Sequence, residues 1–350
     1  MRRLLMAAAF AAAATTASQA EVIDATIVAG HSQVFRWVQM FPEAFEPAVA
    51  KALEGTDYEV NFVHQFGGTI AGVGEELETI EDGLAQLGTV QSLFRQAKMP
   101  LQNVTYYTPF VSNDVRLVSE VMVDLTRDHE ILRKAYDDAG IISLGGTIGI
   151  DSYLLLTNFP VNSMEDLKGR KIATAGAAVN WLNGTGAVGV SSAIPAYYND
   201  LKTGVYEGVI LFATGALPAK LHEVVRYITK IGFGAQVAGS IGVNREWFEG
   251  LPEPVQEALR AGAAAAGEWY LTSLEQGTAA ALETMAAQGA TITEPDEAFR
   301  QAWADSIGDL AGDWARSLDA MGQPGTETLK LYMNEMRARG ATPLRAWGEE

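Results

Sequence analysis

The apolar positions of this chain switch between two periods, and the switches mark its elements. Val22 to Gly30 alternates loosely and is rich in β-branched residues, which predicts a first strand. Tyr58 to His64 alternates again, with Tyr58, Val60 and Phe62 on one face, and Ala85 to Val90 predicts a third strand. Between them, Phe35 to Leu53 carries a heavy apolar helical face despite Pro42 and Pro47, and Glu75 to Asp82 reads as a helix stopped by Gly83. This βαβαβ start implies a parallel sheet with helices on both faces. Arg116 to Ala139 reads as one long acidic helix ending at Gly140, followed by a strand from Ile141 to Leu144. Gly145, Gly146 and Gly149 then loosen the chain, as a hinge between lobes or as ordinary turns.

Leu156 to Gly208 holds the densest set of signals. Ser163 with Asp166 three residues on is a variant capping box, opening a short helix that stops at Gly169. Lys171 to Thr174 reads as a short buried strand. A helix from about Ala177 ends in Gly184 and Gly186, and another from Pro195 to Lys202 ends at Gly204, suited to a left-handed cap. The apolar run at 208–213 suits a strand covered on both faces. Val224 to Ile231, Ala235 to Val243 and Thr291 to Thr293 follow as strands, with terminal helices at Phe299 to Met321 and Thr326 to Arg339. Pro252 to Ala287 is one alanine-rich helical stretch, about 50 Å long at the helical rise, and so spans more than one domain.

Composition narrows the class. The chain has 350 residues, room for two domains, and 48% are apolar, enough for a large core. The net charge of -18 argues against nucleic acid and anionic membrane surfaces. Arg2 and Arg3, an apolar segment from Leu4 to Ala14, and Ser18-Gln19-Ala20 form a secretory signal over residues 1–20. No later stretch reaches the roughly 18 apolar residues of a membrane helix. With no cysteine, disulfides, thiolate metal sites and a lipid-anchored N-terminal cysteine are excluded. An exported, unanchored protein of a Gram-negative periplasm is expected.

Candidate chemistry is sparse. His31, His64, His129 and His222 lack metal spacing and read as loop or surface residues, so no metal and no cofactor is expected. Gly184 to Gly189 matches G-x-G-x-x-G, but its glycines end a helix instead of opening one after a strand. No nucleophile elbow and no phosphate loop occur, and the chain is not expected to be an enzyme.

The ordered pieces Leu156-Thr157-Asn158, Glu165-Asp166-Leu167-Lys168-Gly169, Lys171-Ile172, Gly186-Ala187 and Tyr198 to Gly208 resemble the middle of TRAP (tripartite ATP-independent periplasmic) transporter solute-binding subunits. The resemblance implies an α/β, two-lobed periplasmic binding protein with a hinge cleft and a long domain-spanning helix. It divides the chain into residues 21–148 plus about 236–270 as lobe I and 149–235 plus about 271–350 as lobe II, with the helix at about 252–287 shared. It implies a monomer that captures a small solute and delivers it to TRAP membrane permease subunits. The alternatives are an exported enzyme on a two-lobed scaffold and a solute-sensing subunit of a membrane receptor.

The resemblance also locates a departure. Members hold organic acids with two arginines and an asparagine; the matching positions here are Ala173, Leu154 and Leu211, all apolar. A buried carboxylate without a charged partner costs several kcal/mol, so the chain reads as a divergent member whose solute is not a simple carboxylate unless Arg36, Arg95 or Arg116 reaches in. Asp151, Tyr153, Trp181 and Phe212 from the second lobe, with Gln91 and Tyr106 from the first, are the remaining candidate ligand-binding residues; Tyr107, Tyr197 and Tyr198 lie close to them in sequence. Aromatic faces with one carboxylate suit a small cation, an amino alcohol or a neutral polar solute, with a mostly hydrophobic or aromatic ligand and then an acid held in some other way as the alternatives.

Overall fold

A computed structural model describes residues 20–349, so the expected signal segment lies, but for Ala20, outside the described residues. Two sheets organise the chain. The first contains β1 (Glu21–Ala29), β2 (Tyr58–Phe66), β3 (Leu87–Val90), β4 (Ile141–Ile150) and a later strand, β10 (Gln236–Asn244). The second contains β5 (Tyr153–Thr157), β6 (Lys171–Thr174), β7 (Val188–Ser191), β8 (Gly208–Phe212), β9 (Tyr227–Thr229) and β11 (Thr291–Thr293). Their orders are β2-β1-β3-β10-β4 and β11-β9-β5-β8-β6-β7.

The opening βαβαβ unit forms as the alternation predicts, with β2 and β3 parallel to β1 on either side. The sheet is nonetheless mixed, because β10 returns antiparallel between β3 and β4. In the second sheet β6 is parallel to β7 and β8, while β5 is antiparallel to β8 and β9. Every residue of β8 is buried, as its unbroken apolar run requires.

Two expected helices are each divided. Arg116 to Ala139 becomes Val115–Asp128 and Glu130–Asp138, parted at His129, whose extended backbone (φ -116, ψ 118) ends the first and caps the second. Phe299 to Met321 becomes Glu297–Ser306 and Leu310–Ala320, parted at Gly308, where φ is 73°. The final helix, Gly325–Ala338, packs on Val115–Asp128 beside the first sheet, with Arg339 paired to Asp124 at 2.7 Å.

The chain crosses between the sheets at Asp151-Ser152 and at residues 230–235, and the crossings lie side by side: Tyr153 N–H donates to the Gly234 carbonyl at 3.3 Å. A 35-residue helix, Glu253–Ala287, runs along both sheets from β4 to β11. Gly145 and Gly146 are not at a crossing. They form an irregularity inside β4, where the ladder to β10 shifts register. A side chain on Gly146 would stand 2.5 Å from Ile241 and 3.2 Å from the Ala263 carbonyl of the long helix, so this glycine serves close helix–strand packing. Among the described residues, no helix is long and apolar enough to cross a membrane.

Candidate functional site

Parallel strands bring their carboxyl ends to one edge, where loops leave the sheet and ligands commonly bind. Gly30-His31 follows β1 and Gln91 follows β3, while Ala175 follows β6 and Phe212 ends β8. The two sheets face each other across these ends and enclose a space of about 30 Å³, lined by His31, Trp37, Gln91 and Phe94 from one side and Tyr153, Tyr197, Leu211 and Phe212 from the other. Trp37 meets Phe212 across it edge-on at 5.8 Å. Gly176, with φ of 55°, approaches Leu93 so closely that a β-carbon would stand 2.4 Å from its Cδ1.

Four of the sequence candidates line this space: Gln91, Tyr153, Leu211 and Phe212. The others stand elsewhere. Tyr106 and Trp181 form a layer behind Tyr153. The Tyr106 and Tyr153 hydroxyls are 3.0 Å apart, the Trp181 ring stacks on Tyr106 at 5.9 Å, and its Nε1–H donates to the Tyr106 carbonyl at 2.7 Å. Ala173 lies inside the β6 ladder between Val190 and Val209, and Ala175, two residues on, reaches the space instead. Leu154 neighbours Tyr153 on a strand and so points to the opposite face, toward a separate groove with Asn113 and Lys230. Asp151 is buried at the crossing, accepting from the Thr214 hydroxyl at 2.5 Å and the Thr214 N–H at 3.4 Å. Burial raises its pKa against those bonds, and its oxygens are held by Thr214 at the crossing, outside the lining of the space. Tyr107 stacks on Trp314, and Tyr198 is bonded to Glu223 at the surface.

None of the arginines named as substitutes lines the space. Arg95 pairs with Glu78 at 2.5 Å, Arg116 holds Glu268 and Glu275 of the long helix at 2.8 and 2.7 Å, and Arg36 lies against Gly277 of that helix. The lining contains no Asp, Glu, Lys or Arg.

Of the four histidines expected on loops or at the surface, His31 lies on a loop but is buried, as is His222, each 3% exposed; the His31 ring is edge-on to Phe35 at 5.6 Å and to Trp37 at 5.1 Å. Burial pushes its pKa down to about 4, so the ring is neutral at ordinary pH. The Gln91 amide nitrogen lies 3.2 Å from Nδ1 and donates to it, which leaves the ring proton on Nε2. Gly30 lets this loop pack on the backbone at Gly72 and Val73, since a β-carbon there would stand 2.5 Å from the Val73 nitrogen. Beneath the loop, buried Glu76 accepts from the N–H groups of Gly30 at 2.9 Å and Gly74 at 2.6 Å. His31 and Trp37 carried no distinguishing sequence signal, because their value arises from groups 60 or more residues away. No group of three or more His, Cys, Asp or Glu among the described residues is arranged to hold a metal.

A family model described as DctP, bacterial extracellular solute-binding protein, family 7, matches residues 35–316. A solute-binding protein of Sulfitobacter sp. (strain NAS-14.1) is 28% identical over 270 residues, spanning 72% of this chain and 78% of its own. An extracytoplasmic solute receptor of Bordetella pertussis that binds pyroglutamic acid superposes with a TM-score of 0.77 at 20% identity, over 89% of this chain and 99% of its own. A TRAP solute-binding protein of Rhodoferax ferrireducens, solved with copurified benzoate, gives 0.79 at 16% identity, over 90% and 98%. At these identities the two structures establish the fold, and the family model, covering most of the chain, establishes the lineage. The chain belongs to the family 7 extracellular solute-binding proteins, the solute-capturing receptors of TRAP transporters.

Proposed function

We propose that this extracytoplasmic receptor captures a small, uncharged solute with a largely apolar body and presents it to a TRAP membrane permease. The observation that carries the reading is the lining between the sheets, which is aromatic and aliphatic and holds no charged side chain. An ion enclosed there would lose its hydration and meet only neutral dipoles, a loss of several kcal/mol. A cation would fare no better, because the nearby buried carboxylates of Asp151 and Glu76 are turned to Thr214 and to backbone N–H groups. The enclosed space is far smaller than a solute, so entry requires the lobes to part about the crossings, and closure then excludes water.

The reading is tested by thermal shift on the chain from Glu21 onward, unfolded and refolded to strip carried-over solute. Panels of organic acids, amines with amino alcohols, and neutral aromatic or alicyclic compounds are compared. At about 100 times its dissociation constant a bound solute adds roughly 2.7 kcal/mol, a midpoint shift of several degrees. Hits in the neutral panel are expected; hits confined to acids or to amines would overturn the proposal.

Closure itself has a test in Gly176→Ala. Overpacking against Leu93 acts only when the lobes meet, so a neutral hit is expected to bind about tenfold more weakly by calorimetry. An unchanged affinity would show that this contact is not part of the bound state.

A further inference from the structure

We infer that the solute carries a neutral carbonyl oxygen, and that His31 and Trp37 are the two donors that select it. The inference rests on the reading of an uncharged solute and adds its functional group. His31 Nε2 and Trp37 Nε1 are both buried and both lack a hydrogen-bond partner. Each residue is 3% exposed, and both line the same enclosed space. Buried N–H groups without partners are rare, and two on residues that line one cavity are a pattern that a bound acceptor completes. The remaining buried polar atoms without partners, such as Thr89 Oγ1 and Gln102 Oε1, belong to residues that do not line this space.

The donor set fixes the chemistry. The Gln91 amide occupies His31 Nδ1, so the neutral ring presents N–H and not a lone pair toward the solute. An indole nitrogen is donor only. Two N–H groups therefore meet one oxygen with two lone pairs, the geometry of a ketone, ester or amide carbonyl. A solute hydroxyl would find no matched acceptor in this pair. A carboxylate would bring a full charge to a lining without a cation. Around the donors, Phe94 and Phe212 leave space only for an apolar body.

The test compares acetophenone, ethylbenzene and benzoate as probes for the refolded full-length mature chain by calorimetry, with His31→Phe and Trp37→Phe as variants checked for native circular dichroism. Acetophenone is expected to bind at least about tenfold more tightly than ethylbenzene. Each variant is expected to reduce the preference for acetophenone over ethylbenzene about tenfold, whatever the change in absolute affinity for the two probes. A second measurement stands apart from the variants' folding: in protein labelled with nitrogen-15 at the indoles, one side-chain N–H resonance moves downfield on adding acetophenone and stays in place with ethylbenzene. Equal affinities for acetophenone and ethylbenzene, or an unmoved indole resonance, overturn the carbonyl assignment and leave the apolar-solute reading intact. Binding of benzoate in place of both neutral probes overturns the two together.

Discussion

Trp181→Ala is expected to lose about 4 kcal/mol of stability, read as a lowered urea midpoint by circular dichroism. The indole is fully buried between Tyr106 and Phe233, stacked on them at 5.9 and 5.3 Å, with Tyr153 edge-on at 5.2 Å. Truncation removes that aromatic packing and leaves a cavity that the three neighbouring rings cannot fill. It also strands the Tyr106 carbonyl, which loses the indole donor at 2.7 Å. The segment that carries the residue is tied in turn to the C-terminal region, since the Trp181 carbonyl accepts from Trp303 Nε1 at 2.7 Å. Trp181→Phe keeps most of the packing and removes only the N–H, so about 1–2 kcal/mol is expected for it. A loss below about 1 kcal/mol for the alanine variant would mean that the layer behind Tyr153 repacks freely, contrary to a close-packed core.

The second large effect is a pair of opposite pH dependences. Stability of Glu76→Gln is expected to rise with pH between about 4.5 and 6.5, and stability of His31→Phe to fall over the same window, each by on the order of 3 kcal/mol. Burial pushes the Glu76 carboxyl up to about 7, and this outweighs the N–H bonds from Gly30 and Gly74 and the attraction of Arg95. The folded state then holds a proton that the unfolded chain releases above about 4.5, so the contribution is full at low pH and lost as pH rises through 7. His31 has the reverse linkage. Its ring faces Phe35, Trp37, Phe94 and the Gln91 amide, no charge lines its cavity, and burial lowers its pKa to about 4. The unfolded chain binds a proton below about 6.5 that the folded ring refuses, so this contribution is full above 6.5 and lost as pH falls toward 4. In the wild-type chain these two contributions oppose each other and largely cancel between 4.5 and 6.5. Urea denaturation of the two variants at pH 4.5, 5.5, 6.5 and 7.5 reads the slopes. Slopes of the same sign would contradict the assigned burial of one of the two groups.

The places where sequence reasoning stopped have physical causes. A helix from Arg116 to Ala139 is continuous in its apolar period, yet His129 adopts an extended backbone so that two shorter helices can each lay their apolar face on β4. Propensity and period do not encode that turn. The resemblance to TRAP receptors implies arginines at the positions of Ala173 and Leu154, and the sequence carries apolar residues there. It does not show that Leu154 faces away from the space between the sheets, because facing depends on which strand face the fold buries. The four histidines are alike as letters. His31 and His222 are both buried with one ring nitrogen lacking a partner, and only contact with Trp37, Phe35 and Gln91 sets His31 in the lining between the sheets.

What the sequence determined by itself was local order and lineage: the alternation of β1 and β2, the capping pair of Ser163 and Asp166, the left-handed Gly204, the long helix to Ala287, and the run of pieces shared with TRAP receptors. These depend on neighbours a few residues apart, and such neighbours are written in the chain. Tertiary structure alone decided where the cavity lies, which aromatics line it and which pack behind, and that two of its lining residues carry buried N–H groups without partners. Those properties arise where strand ends far apart in sequence meet, and burial, tautomer and protonation state are set by that meeting and not by residue type.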